Sequence, residues 1–410
     1  MRQSSPFKVG ESSTLLPKLA SEKPSKPGKP REYDLLLAFV PGGGNLPVAA
    51  AVAQDEAAFE ELASRLIGLW KGQRVGFSEL ARFIVLRRVD PGNRKVIFTA
   101  TSVLKDLAEA AIRWTEGCRN TPDVRLPVPQ GRGKPPEKRG PARIAPGSLV
   151  ALGREVFARD GKEPQETPGP TFADAMGLFL GIEHARKVIA RRLLRLFITR
   201  RGPLIMRVAH AVHRDDFIGF DTQAALDTIS VLGLLLNELA RKKEAYMNDA
   251  AFQLGQLLAG ADVLHRGFCE HQRGGSIPSA LLGNQALALA QRSPVAALNM
   301  LCNRWRVYAG WAEKNRDSVA KPADQGPPKD KKEKDERERA WAVFRGVRIA
   351  SKLRPLAQAL HSGLLPDRAD DRFRAELLLG YLAGPPTPPS ATGGSSSSET
   401  ILPKEEQPND

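Results

Sequence analysis

The segment GIEHARKVIARRLLRLFITRR, residues 181–201, decides the fold class. On a helical wheel Ile182, Ile189, Leu193, Leu196 and Phe197 share one face, and Lys187, Arg191 and Arg195 lie on the face directly opposite. Arg186 and Arg192 flank the seam. The segment holds a single acid, Glu183. Its outer face is therefore a basic ladder with one step per helical turn, about 5.4 Å. Phosphates along a nucleic-acid strand repeat on a similar scale, and guanidinium groups bind them bidentately. From about residue 149 to residue 383 the same helical spacing recurs with almost no period-2 alternation, which predicts a helical bundle.

Toward the N-terminus the pattern changes. Residues 33–40 (YDLLLAFV) form a short apolar run stopped by Pro41 and three glycines, the signature of a buried strand. An amphipathic helix follows over residues 54–70, with Phe59, Leu62, Leu66 and Trp70 at three- and four-residue spacings. Residues 83–89, the turn Asp90-Pro91-Gly92-Asn93, and residues 95–100 read as a β-hairpin. Ser102 is placed to cap a helix running to about Gly117.

The expected architecture is mostly α: a small α+β domain over residues 32–127, then a C-terminal helical bundle over 148–384, with disordered termini. Residues 1–31, rich in Ser, Lys and Pro, read as a flexible leader, and 128–147 as a basic Pro/Gly linker. Residues 315–339, charged and poor in apolar groups, read as a loop leading into a solvated helix start, and 385–410 as a disordered tail.

The chain has 410 residues, 61 Lys and Arg against 46 Asp and Glu, and a net charge of +15. It is long enough for two or three domains. No apolar run approaches the roughly 18 residues a membrane span needs. The first thirty residues lack the apolar segment of a signal peptide, and three cysteines (Cys118, Cys269, Cys302) are too few for a disulfide framework, so a reducing cytoplasm is expected. The surplus positive charge points to polyanions, most simply nucleic acid.

Catalytic motifs are missing from the sequence. Gly42-Gly43-Gly44 follows a strand, but neither the phosphate-loop nor the dinucleotide-binding pattern is present, so it reads as a tight loop. His210, His213, Asp215 and Asp216 have metal-ligand chemistry, yet they also suit a helix end; His265, Cys269 and His271 form a second loose cluster in which Cys269 suits a core. No Ser-His-Asp or Cys-His arrangement has a recognisable context. The expectation is a non-enzyme without a cofactor.

Basic elements carry more information. Besides the ladder of Lys187, Arg191 and Arg195, a second stretch, residues 341–355, carries Arg345, Arg348, Lys352 and Arg354 with no acid, while Trp341, Phe344 and Val347 supply its buried side. The linker supplies Arg132, Lys134, Lys138, Arg139 and Arg143 against one acid, Glu137. Trp305, Trp311 and Trp341 are candidates for stacking on unpaired bases, with core filling as the competing use; Trp305 is flanked by Arg304 and Arg306.

Three stretches then follow one another: AAFQLGQLLAGADVL (residues 250–264), LLGNQALALAQRSPVAALNMLCNRW (281–305) and RFRAELLLGYLAG (372–384). They resemble the C-terminal region of the type I-C (Dvulg-subtype) CRISPR large subunit. The shared features are an aromatic-x-Leu-Gly-x-Leu helix (Phe252, Leu254, Gly255, Leu257), a helix begun by Ser293-Pro294, and a closing Gly380-Tyr381. The resemblance implies an antiviral surveillance complex in which the large subunit lies by the guide RNA and helps open target DNA. It contacts the other effector-complex subunits and docks a separate helicase-nuclease. In such complexes base pairing reads the sequence while protein supplies charge and shape.

In that family a small subunit is translated from an internal start. Here Lys243-Glu244, whose codons can spell a ribosome-binding purine run, lies just before Met247, which makes Met247 a candidate start. The competing expectation for the whole chain is a helical scaffold or regulatory protein whose basic faces meet acidic protein partners. A metal-dependent nuclease using His210, His213, Asp215 and Asp216 is a third.

Overall fold

The computed structural model describes residues 34–39, 48–52, 56–71, 80–90, 93–119, 144–147, 149–150, 171–214, 222–239, 250–272, 278, 280–322, 330–363 and 365–385. The expected leader, nearly all of the basic linker, Met247 and the expected tail beyond residue 385 lie outside them. The described chain is mostly helical.

A four-stranded antiparallel sheet opens the structure, formed by β1 (Asp34–Phe39), β2 (Val48–Val52), β3 (Leu80–Asp90) and β4 (Asn93–Val103) in the order β2-β1-β3-β4. The predicted strand and hairpin are both present, and the hairpin register closes on Asp90 opposite Asn93, the corners of the predicted turn. Ser102 does not cap the following helix. It pairs with Ala81 inside β4, because the ladder with β3 holds the chain extended as far as Val103. Helix α2 (Leu104–Arg119) then starts without an intervening loop, and α1 (Glu56–Lys71) lies beside it.

Alternation along β3 turns Ala81, Phe83 and Val85 into the core, where Phe59, Leu62 and Leu66 of α1 and Leu107, Ala111 and Trp114 of α2 cover them. The cover is completed by α3 (Phe172–Leu180), opened by a capping box between Thr171 and Asp174. Phe179 of α3 meets Trp114 at 5.5 Å, Phe59 at 5.6 Å and Phe83 at 6.2 Å between ring centroids, all edge-on. The boundary expected near residue 148 therefore does not separate two cores. The first helix beyond it belongs to the packing of the sheet, and one apolar cluster runs through both parts.

The junction also has a polar pin. Glu238 at the end of α5 (Thr222–Leu239) is buried and accepts from Arg113 Nε of α2 at 3.2 Å, with Arg186 of α4 (Glu183–Arg214) 2.6 Å away. Burial raises the Glu238 pKa, opposed by the two guanidiniums.

Five further helices complete the bundle: α6 (Ala250–Gln272), α7 (Leu282–Ala290), α8 (Pro294–Lys314), α9 (Lys331–His361) and α10 (Asp371–Ala383). Helix α6 lies at the centre, packed against all four others. It crosses α10 where Gly255 faces Gly380. A Cβ on Gly255 would lie 2.2 Å from the Leu377 carbonyl oxygen, and one on Gly380 would lie 2.1 Å from that of Phe252. The expected charged loop 315–339 is shorter than the sequence suggests. Asp330 caps α9 by accepting from the Glu333 amide at 2.7 Å, and the pairs Arg337–Glu333 and Lys334–Glu338 carry the solvated residues 331–339 as helix.

Candidate nucleic-acid interface

Helix α4 carries the first basic face. Leu193 and Phe197 are buried and Ile189 and Leu196 half-buried, as the wheel requires. Ile182 departs from it at 77% exposure, because the helix begins only at Glu183 and the wheel does not apply to the residue before it. The ladder itself is uneven. Arg191 and Arg195 are exposed, Arg195 with 80% of its side chain open and its guanidinium 4.0 Å from Asp371. Lys187 is half-buried and pairs with Glu183 one turn before it. The flanking residues are committed elsewhere: Arg186 to Glu238 and Arg192 to Asp174. A groove between α4 and the start of α10 gathers Arg191, Arg195 and Arg372 beside Asp370 and Asp371.

Helix α9 carries the second. Arg345, Arg348 and Arg354 are exposed, Lys352 is half-buried, and Val347 lies in the core with Trp341 and Phe344 half-buried beside it. Arg345 Nε donates to the Trp341 carbonyl at 3.3 Å, and the Arg348 guanidinium lies 5.5 Å from the centre of the Phe344 ring. Arg348 and Arg354 also line a groove shared with α8, to which α8 brings Trp305 and Arg306. Sequence reasoning on α9 alone did not include α8, because a wheel reports only the faces of its own helix. The third candidate set, Arg132, Lys134, Lys138, Arg139 and Arg143, lies outside the described residues.

The three bundle tryptophans have different uses. Trp311 is buried, donates from its indole N–H to His271 Nδ1 at 3.1 Å and meets Phe268 edge-on. Trp341 is edge-on to Phe344. Trp305 is half-buried, one side against the core and another lining the groove.

Among the described residues no three His, Cys, Asp or Glu side chains are placed to hold an ion, and His265, Cys269 and His271 have other uses. His265 Nδ1 accepts from the Leu282 amide at 3.1 Å, His271 accepts from Trp311, and Cys269 is buried. His210 and His213 lie on α4, while Asp215 and Asp216 fall outside the described residues. Among the described residues the Asp262 carboxyl, buried in α6, is pushed up to about 7 by desolvation, against hydrogen bonds from Tyr381 and two amides. Its partners are all structural. Among the described residues no helix is long and apolar enough to cross a membrane.

No family model matches this sequence, and no curated protein matches it.

Proposed function

We propose that this chain is a non-catalytic, nucleic-acid-binding subunit of a type I CRISPR RNA-guided surveillance complex, contacting guide RNA and target DNA and supporting recruitment of a helicase-nuclease. The observation that carries this reading is the outward placement of Arg191 and Arg195 on α4 and of Arg345, Arg348 and Arg354 on α9. Two long helices thus present guanidiniums to solvent in a chain with a net charge of +15. A single strand or a guide–target duplex is bound through its backbone by this kind of surface.

Three motifs carry the resemblance, and two of them have a physical role in the bundle. Gly255 and Gly380 allow α6 and α10 to cross closely, and Tyr381 bonds to Asp262. Helices α6 to α10 pack on one another around α6, which fits a separately translated small subunit beginning at Met247. Intact-mass analysis of the expressed gene, with and without Met247→Leu, tests that start: a fragment beginning at Met247 is expected only in the parent.

The test of the function is a tagged pull-down from cells co-expressing the neighbouring genes, with sequencing of the retained RNA. Short repeat-derived guide RNA with other complex subunits in fixed ratio is the expected result. Recovery of protein alone would replace this reading with the scaffold that meets acidic protein partners.

A further inference from the structure

We propose that the groove between α8 and α9 is a site for single-stranded nucleic acid, with phosphates on Arg306, Arg316, Arg348 and Arg354 and one base against Trp305. The proposal deepens the nucleic-acid reading above and rests on it.

The groove has a volume of about 640 Å³ and is floored by Leu264 and Val347. Four arginines line it against one carboxylate, Glu313. None of the four is in an ion pair among the described residues, whereas Arg65, Arg337 and Arg372 each pair with a glutamate one turn away on their own helix. Four guanidiniums that meet inside one groove with a single carboxylate repel one another, and a polyanion relieves that repulsion.

The shape selects the form of nucleic acid. Neighbouring packed helices lie about 8–10 Å apart, so the trough between them admits one strand and excludes a duplex. Trp305 supplies a flat apolar surface at that trough. Trp311 and Trp341 spend their faces and edges on other rings, while Trp305 has no ring contact with another aromatic among the described residues. An acidic peptide would satisfy the arginines but has no base to stack on the indole, which favours the nucleic acid.

Gly310 lies on the same wall of the groove and, like Gly68 of α1, has open space beside it. It sits inside α8, where a glycine lowers helix stability, and a Cβ there would meet nothing within 4 Å. No internal packing therefore requires it, in contrast to Gly255. Open space beside a helical backbone is what a closely approaching ligand uses.

Binding of a labelled oligothymidine of about 15 nucleotides to the purified full chain tests this, beside a duplex of equal length and poly-glutamate as competitor. Trp305→Ala should weaken oligothymidine binding about tenfold. Arg348→Gln with Arg354→Gln should lower the slope of log K against log salt by about 1.4, two phosphates' worth. Gly310→Leu should leave the melting temperature unchanged or raised and still weaken oligothymidine about tenfold, with duplex binding unaltered. If the parent binds the oligonucleotide and all three variants bind it equally, the groove is not the site, though the broader reading stands. If the parent binds neither oligonucleotide, both fail. If poly-glutamate displaces the strand as well, charge for charge, the groove serves an acidic protein and the proposal is overturned.

Discussion

The Tyr381 hydroxyl of α10 donates to Asp262 Oδ2 of α6, while Oδ1 of the same carboxylate accepts from the amides of Gly283 at 2.7 Å and Asn284 at 3.1 Å. One buried side chain thereby joins three helices. It also caps α7, whose N-cap residue Leu281 has no side chain able to do so. His265, one turn along α6, takes the remaining nearby amide, that of Leu282.

Removing the capping acceptor leaves two amides buried at the start of α7. Asp262→Ala is expected to cost about 2 kcal/mol or more, and Tyr381→Phe about 1–3 kcal/mol, since the latter leaves a buried carboxylate short of one donor. Asp262→Asn is expected to be mild, because the amide oxygen accepts from the same N–H groups and the amide nitrogen can donate to Tyr381. Urea unfolding of the three variants orders them. A Tyr381→Phe chain as stable as the parent would remove the bond from the account.

Stability should depend on pH through the same carboxyl. Its folded pKa is about 7, raised by burial from an unfolded value near 3.8. Below the unfolded value both states hold the proton and the contribution of this group is fully present. As pH rises the unfolded chain releases its proton first, so the contribution falls and is lost once pH passes about 7. The stability of the parent relative to Asp262→Asn should therefore decline between about pH 4 and pH 7, by at most about 1.4 kcal/mol per pH unit. A difference that stays constant across that range would show that the carboxyl titrates normally.

At the crossing of α6 and α10 the expected effects of Gly-to-Ala changes have opposite signs at different sites. Gly255→Ala or Gly380→Ala drives a methyl into a backbone carbonyl, and separating two buried helices is expected to cost about 2–3 kcal/mol or more. Gly68→Ala on α1, with nothing within 4 Å of the added carbon, should instead stabilise by about 0.5–1 kcal/mol. Thermal melts of the three variants check both directions. Equal effects at all three sites would mean that the helices cross less tightly than described.

These contacts mark what a sequence can and cannot show. The 3.6-residue period of α4 places Leu193 and Phe197 inward and Arg191 and Arg195 outward, since that period is a property of one helix. It fails at Ile182, beyond the helix end. Strand β2 (VAAAV) gave no signal: alanine has little strand preference, and the strand is held by backbone pairing to β1. Phe179 inserts into the sheet's core through tertiary packing that no local pattern records. The cap on α7 comes from another helix, so a rule that looks for a capping residue in the preceding position misses it. The basic groove joins α8 and α9, and only the fold brings Trp305 and Arg306 to Arg348 and Arg354.

Arg191 and Arg186 lie on the same helix, yet charge reversal should separate their roles. Arg191→Glu with Arg195→Glu changes two exposed side chains and is expected to leave the melting temperature nearly unchanged while weakening RNA and DNA binding. The salt slope should fall in the same variant, because fewer counterions are released when fewer phosphates are contacted. Arg186→Glu instead places a second carboxylate beside Glu238, which is fully buried between Arg113 and Arg186, and should cost about 3–5 kcal/mol. Filter binding at several salt concentrations, read beside thermal melts, distinguishes the two. If the Arg191/Arg195 variant binds nucleic acid as tightly as the parent with the same salt slope, the outer face of α4 is not a nucleic-acid surface, and binding must be sought on α9 and its groove.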